Sequence, residues 1–212
     1  MNDKMKLIEN LIKAKKIYDK YLLNKDFLYV FKNKLNNKFE FFEMKCVRSN
    51  FLHLTGVETK IKALDFYKNL EKNRIPLDAI NYKRNGTTKL KLQIFDRLPL
   101  LISTPVQVCF QDDFFTLKLE VDILLNKPVI DRKDIVLGLK QMENFDFFVP
   151  ASILKEEPQK IGKNFSRVLF ILEKNKGDKK YSTIKYRVKD IEFNKILNSI
   201  NCDLIDKELL LI

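Results

Sequence analysis

Between residues 115 and 123 the chain alternates without a break: Phe115, Leu117, Leu119, Val121 and Ile123 are apolar, and Thr116, Lys118, Glu120 and Asp122 are polar. A period of two places one side chain set in a core and the other in water, which only a strand in a half-buried sheet satisfies. The front of the chain has a different period. Leu7, Leu11, Ala14, Tyr18 and Tyr21 fall at spacings of four and three, with Lys13, Lys16 and Lys20 elsewhere on the wheel, so residues 3–23 read as one amphipathic helix. Sheet and helix together predict an α+β fold.

Further elements follow from the same patterns. Residues 27–31 and 39–47 read as a hairpin joined by the turn-prone Asn33-Lys34-Leu35-Asn36-Asn37. A helical stretch runs from about Phe51 to Leu70. Asn85-Gly86 marks a turn, after which Thr87 or Thr88 caps a helix reaching about Ile102, with Pro99 expected to kink or shorten it near Leu98. More strands are expected at 106–110, 134–139, 145–149, 166–172 and 182–188, and a short helix and apolar tail at 190–212. Long helical crossovers are few in this half, which favours antiparallel pairing. A length of 212 residues predicts one domain. It divides into an N-terminal helix (1–25), a core (27–172) and a basic C-terminal extension (173–212).

Composition narrows the function classes. No apolar run approaches the roughly 18 residues of a membrane span, and the N-terminus lacks the apolar region and cleavage site of a signal peptide, so a cytoplasmic location is expected. Cys46, Cys109 and Cys202 are widely spaced, and with one histidine they make no zinc set; no cofactor is expected. Walker A, GxGxxG and GxSxG patterns are absent. The net charge is +12, with 40 basic against 28 acidic residues. A basic surface attracts polyanions, although a lysine- and asparagine-rich composition is also what an AT-rich genome imposes.

Three residues stand out for chemistry. His53, the single histidine, lies in Asn50-Phe51-Leu52-His53-Leu54-Thr55-Gly56-Val57, between a strand and a helix. Imidazole is the natural proton shuttle at neutral pH, yet a lone histidine among apolar neighbours is more often a half-buried structural residue. Lys91 falls on the apolar face of its helix, with Leu90, Ile94, Phe95 and Leu98; it must snorkel out, pair with a carboxylate, or point into a cleft and meet a phosphate. Ser152, in Val149-Pro150-Ala151-Ser152, is placed to cap a short helical stretch closed by Pro158, or to donate its hydroxyl to a phosphate oxygen. Candidate substrate-binding residues are Arg48 at a strand end, Lys89 and Arg97 in the basic stretch 83–97, and Tyr67. The basic stretch 174–189 carries Tyr181 and Tyr186, which could stack on bases.

The order of these blocks resembles a known family. A hairpin precedes the Phe51-x-His53-Leu54-x-Gly56 block, then come Ala63-Leu64-Asp65-Phe66-Tyr67, a lysine-bearing helix, Ile135-Val136-Leu137-Gly138-Leu139 and Phe148-Val149-Pro150-Ala151-Ser152. This is similar to a predicted nuclease family of phages and mobile elements, in the phage-type branch of the barnase–EndoU–colicin–RelE-like superfamily. The likeness spans residues 27–172. It implies N-terminal helices packed on a mainly antiparallel β-sheet that carries the active site. It also implies metal-independent RNA cleavage, in which the 2′-hydroxyl attacks phosphorus and leaves a 2′,3′-cyclic phosphate. His53, and more loosely Lys91 and Ser152, carry over as catalytic residues. Some branches use two histidines; here the second acid or base has to be Lys, Tyr or a group of the substrate. The expected function is an endoribonuclease acting as a toxin or as a phage or host-defence effector. RNA is its expected partner, with an antitoxin, immunity, phage or host protein as a further one. The alternative is a non-catalytic regulator or inhibitor that binds nucleic acid or protein on the same fold.

Overall fold

The computed structural model describes residues 3–115, 120–127, 135–189, 191–200, 202–206 and 208–209. Its elements in chain order are α1 (Asp3–Tyr21), β1 (Lys25–Lys32), β2 (Phe39–Lys45), α2 (Asn50–Thr55), β3 (Glu58–Thr59), α3 (Ala63–Glu71), β4 (Ile80–Asn81), α4 (Thr87–Ile94), a 3-10 helix (Phe95–Ile102), β5 (Gln107–Phe110), β6 (Ile123–Asn126), β7 (Val136–Gln141), β8 (Phe147–Leu154), α5 (Pro158–Ile161), β9 (Ser166–Asn175), β10 (Thr183–Arg187) and α6 (Phe193–Ser199).

The expected α+β fold with a mainly antiparallel sheet is present, and the sheet closes into a seven-stranded barrel in the order β1-β2-β8-β7-β6-β5-β9, with β9 returning to β1. Pairing is antiparallel except between β2 and β8, which run parallel through Glu43↔Phe147 and Met44↔Phe148. Closure comes from β9. One edge of this strand pairs with β1 from Lys25↔Asn175 to Phe31↔Val168, and the other edge is shared by β5 and β10. The sheet therefore continues past residue 172, where the sequence placed the start of an extension.

Burial explains why β1 is a continuous apolar run rather than an alternating one. Phe27, Tyr29 and Phe31 enter the main core, while Leu28 and Val30 enter a second core on the opposite face with Phe170, Leu172, Phe193, Ile196 and Leu197. A strand covered on both faces has no polar side. The C-terminal helix α6 provides that outer cover.

The main core also takes in the helices. Leu7, Leu11, Ala14 and Tyr18 of α1, Phe51 and Leu54 of α2, and Phe66, Tyr67 and Leu70 of α3 join inward-facing strand residues such as Ile123, Leu137 and Ile153. The Tyr29 hydroxyl donates to the Leu101 carbonyl at 3.1 Å, tying a strand to the end of the 3-10 helix.

Several boundaries differ from the sequence reading. The stretch read as one helix, 51–70, is two helices separated by β3, because Gly56 takes φ 63 and ends α2 in a left-handed cap. Pro99 lacks the N–H an α-helix needs, and the chain beyond Ile94 tightens into a 3-10 helix. Pro158 opens α5 rather than closing a helix. Of the alternating run 115–123, residues 116–119 lie outside the described residues, and the strand starts only at Ile123. Among the described residues no helix is long and apolar enough to cross a membrane.

Phe51 is the aromatic hub of the helical layer. Its ring lies 5.5 Å from Tyr18, 6.3 Å from Phe66, 5.7 Å from Tyr67 and 5.7 Å from Phe95. Phe51→Ala is expected to lower stability by about 3–5 kcal/mol, the usual range for a buried phenylalanine. Urea unfolding measures this, and a loss under about 1 kcal/mol would show that the helices close over the gap.

Candidate functional site

A cleft of about 810 Å³ is lined by Ser49, Asn50, His53, Gly56, Lys83, Lys91, Lys140, Pro150, Ala151 and Ser152, among others. Several separate chain segments build it, and local sequence explains the three that carry His53, Lys91 and Ser152. The loop before α2 is pinned from both sides: the Tyr18 hydroxyl donates to the Val47 carbonyl at 2.8 Å, and the Val47 N–H donates to Asn50 Oδ1 at 2.9 Å. α2 is then anchored by Phe51 and Leu54, both fully buried. Helical spacing turns His53 the other way, into the cleft, where it stays exposed. Among the described residues its imidazole has no hydrogen-bond partner, so the ring is free to meet a ligand.

Gly56 does more than end α2. A Cβ on this residue would lie 2.8 Å from Lys91 Cδ, so the missing side chain lets the lysine stem pass. The Gly56 carbonyl accepts from Thr88 Oγ1 at 2.6 Å, and Thr88 Oγ1 accepts from the Lys83 N–H at 3.0 Å. The start of α4 is thereby fastened to the end of α2. Lys91 follows Thr88 by three positions and shares its buried face. Its ammonium donates to the His53 carbonyl at 2.9 Å and to Ser152 Oγ at 2.8 Å. Of the three routes open to this lysine, it takes the one into a cleft.

Ser152 is a strand residue of β8 and not a helix cap. It pairs with Gly138, while Pro150 pairs with Leu139, so the register slips by one residue at Ala151. A bulge of this kind re-aims the side chains around it.

The electrostatics follow from this packing. Burial, and then the Lys83 charge, lower the Lys91 pKa to about 8. Burial, then Lys91 and Lys83, lower the His53 pKa below its ordinary 6.5. At neutral pH the cleft thus holds a neutral imidazole beside an ammonium that is mostly charged. Lys140 offsets Glu120 across the rim at 3.5 Å. Among the described residues no group of three His, Cys, Asp or Glu is placed to hold a metal ion.

The four residues proposed for substrate binding do not line the cleft. Arg48 pairs with Glu71 at 3.6 Å and lies 5.6 Å from the Tyr67 ring centre. Tyr67 is buried, and its hydroxyl bonds Asp19. Lys89 lies over Tyr82 at 5.2 Å on another face. Arg97 holds a buried Nη1 with no hydrogen-bond partner among the described residues. Charge and strand-end position nominated these residues, and neither reports where a side chain points. The stretch 174–189 is also elsewhere: the Tyr181 hydroxyl donates to Glu43 at 2.8 Å on the covered outer face. Conversely Asn50, Lys83 and Lys140 border the cleft without having been singled out. Lys83 had a signal, as the first residue of the basic stretch 83–97. Asn50 had one only in its place beside the histidine block.

A cleft that offers an imidazole, a buried ammonium and a hydroxyl suits a protein that handles an anionic ester. Over residues 10–190 the chain matches the family described as phage-Barnase-EndoU-ColicinE5/D-RelE like nuclease 4, and it belongs to that family. Membership gives it a nuclease-like function and points to nucleic acid as its substrate. No curated protein and no solved structure matches the chain.

The position of Lys91 has a measurable consequence. With an ordinary value of 10.5 and a folded value of about 8, keeping the ammonium charged in the fold costs roughly 3 kcal/mol at neutral pH. Below pH 8 both states are protonated and the whole cost is present. Between 8 and 10.5 the unfolded chain binds more protons, so stability rises with pH. Lys91→Met is therefore expected to melt at the same or a higher temperature at pH 7, and to lose that pH-dependent gain. A fall of several degrees would show that the lysine's hydrogen bonds hold the fold.

Proposed function

We propose that this protein is a metal-independent endoribonuclease that cuts by 2′-hydroxyl attack. The observation that carries the reading is the meeting of His53, Lys91 and Ser152 on one cleft, with Lys91 bonded to Ser152 at 2.8 Å. The 2′-oxygen attacks the adjacent phosphorus, and its proton passes to the neutral His53 ring. Charge gathers on the non-bridging oxygens of the phosphorane. The Lys91 ammonium and the Ser152 hydroxyl, both buried residues, face that charge, and such interactions are usually the largest catalytic contribution. The P–O5′ bond then breaks, leaving a 2′,3′-cyclic phosphate. The departing 5′-oxygen takes its proton from Lys91, whose pKa of about 8 suits an acid working at neutral pH. This assigns the second proton-transfer role that a single histidine leaves open. An activity of this kind serves a toxin or an effector in phage–host conflict, held in check by a neutralising protein partner.

The test is incubation of mixed RNA with the protein in EDTA, followed by detection of cyclic-phosphate ends. His53→Ala is expected to lower cleavage by about 10²-fold or more; since His53 is exposed, the variant should melt like the parent. Binding that weakens steeply with salt, with no new ends, would instead mark a non-catalytic binder.

The pH profile of kcat/KM gives a sharper check. His53 must be neutral, so activity rises through a limb below pH 6.5; Lys91 must be charged, so activity falls through a limb near pH 8. Lys91→Ala should erase the alkaline limb and leave the acid one. A profile that climbs steadily beyond pH 9 would remove Lys91 from the mechanism.

A further inference from the structure

The turn between β7 and β8 carries apolar residues where a hairpin tip is ordinarily polar. Phe145 is 56% exposed and Met142 is 40% exposed, although a large core was available to both. The tip is held in one shape. The Met142 N–H donates to the Phe147 carbonyl and the Phe145 N–H to the Met142 carbonyl, each at 3.1 Å. Asn144 supplies the positive φ of 64 that the turn needs. The Gln141 N–H donates to Asp122 Oδ2 at 2.6 Å, fixing the base of the hairpin.

On this support the Phe145 ring lies 5.2 Å from that of Phe147, tilted by 35°. Lys45 Nζ sits 4.3 Å from the Phe147 ring centre. The pair is also continuous with the cleft. Met142 and Lys140 of the same hairpin line it, and so does Val149, which shares a strand face with Phe147 two positions earlier.

We propose that Phe145 and Phe147 form a stacking subsite for an unpaired base of single-stranded RNA, next to the phosphate held at Lys91. The inference rests on reading the cleft as the site of RNA cleavage. Two neighbouring rings, with the Lys45 ammonium over one face of Phe147, suit a base that stacks on the exposed Phe145, because every base has a π-face and the strand it hangs from is anionic. Glu143 and Asp146 on the same turn repel a phosphate, so the tip grips the base while the backbone passes along Lys45 and Lys140. Stacking of this kind tolerates any sequence, and it selects single strands over duplexes, whose bases are already stacked.

The probe is a 2′-O-methyl oligonucleotide, which cannot be cut by 2′-hydroxyl attack, compared with a 2′-O-methyl dinucleotide. The double variant Phe145→Ala with Phe147→Ala is expected to bind the oligonucleotide about tenfold more weakly or worse. It should bind the dinucleotide, which fills only the cleft, like the parent. Phe145→Tyr should retain affinity. The chain has no tryptophan, so Phe145→Trp introduces a lone fluorophore, and its emission should be quenched as the oligonucleotide binds. An unchanged oligonucleotide affinity with unquenched emission, in a protein that still cuts RNA, overturns the subsite and leaves the cleavage reading intact. The same result together with lost self-association in the double variant assigns the patch to protein contact, and also overturns it. If the parent cuts no RNA but the oligonucleotide result is as expected, the subsite stands and the cleavage reading falls.

Discussion

The pairing of β1 with β9 turns a curved sheet into a ring. These strands lie at opposite ends of the chain, yet their register runs from Lys25↔Asn175 to Phe31↔Val168. Once they meet, β9 is saturated on one edge by β1 and on the other by β5 and β10, and among the described residues the seven strands of the ring have no terminal member, the one outlying edge being that of β10. Two-sided burial follows. The inner face closes over the helices, and the outer face of the same strands is sealed by Phe193, Ile196 and Leu197. With the ring closed, β8 holds a fixed position against α2 and α4, which is what lets the cleft exist at all.

Within that frame Lys91 joins three elements at one atom. Its Nζ touches the end of α2 through the His53 carbonyl and touches β8 through Ser152, while its stem crosses Gly56. A buried ammonium is an unfavourable choice for stability, and an apolar residue of similar length would fill the space with less penalty. Such a residue persists where the charge is used. The absence of a side chain at Gly56 makes room for it, and the bulge at Ala151 adjoins its partner Ser152.

Much of this was legible in the sequence, and the limits have a common cause. The periods of α1 and of the β1–β2 hairpin report local burial, and local burial is what they show. Lys91 was conspicuous because a charge on an apolar helix face contradicts its surroundings, and that contradiction was real. Ring closure was not legible, because nothing in the run Phe27–Phe31 says which distant strand it will meet. The break after Thr55 was hidden because a glycine permits a positive φ without requiring one. The cap reading of Ser152 rested on Pro158, which suggested a helix; a strand register places the residue instead, and the sequence left its other reading, a hydroxyl for a phosphate, open beside it. Arg48, Lys89, Arg97 and Tyr67 illustrate the weakness of charge and type alone: each found a partner or a burial site away from the cleft, and pairing across the fold leaves no mark in the sequence.

Closure by the ninth strand also sets a timetable. A ribosome adding 5–20 residues per second needs on the order of 10 seconds to reach β9 after finishing β1. Until then the growing chain carries an apolar strand with an unpaired edge, the kind of surface that chaperones bind and that neighbouring chains stick to. Contacts this distant in sequence also slow folding after release. The same delay keeps the cleft incomplete, since His53 and Lys91 emerge well before Ser152. A cleft assembled in this order stays unfinished until most of the chain has left the ribosome that makes it.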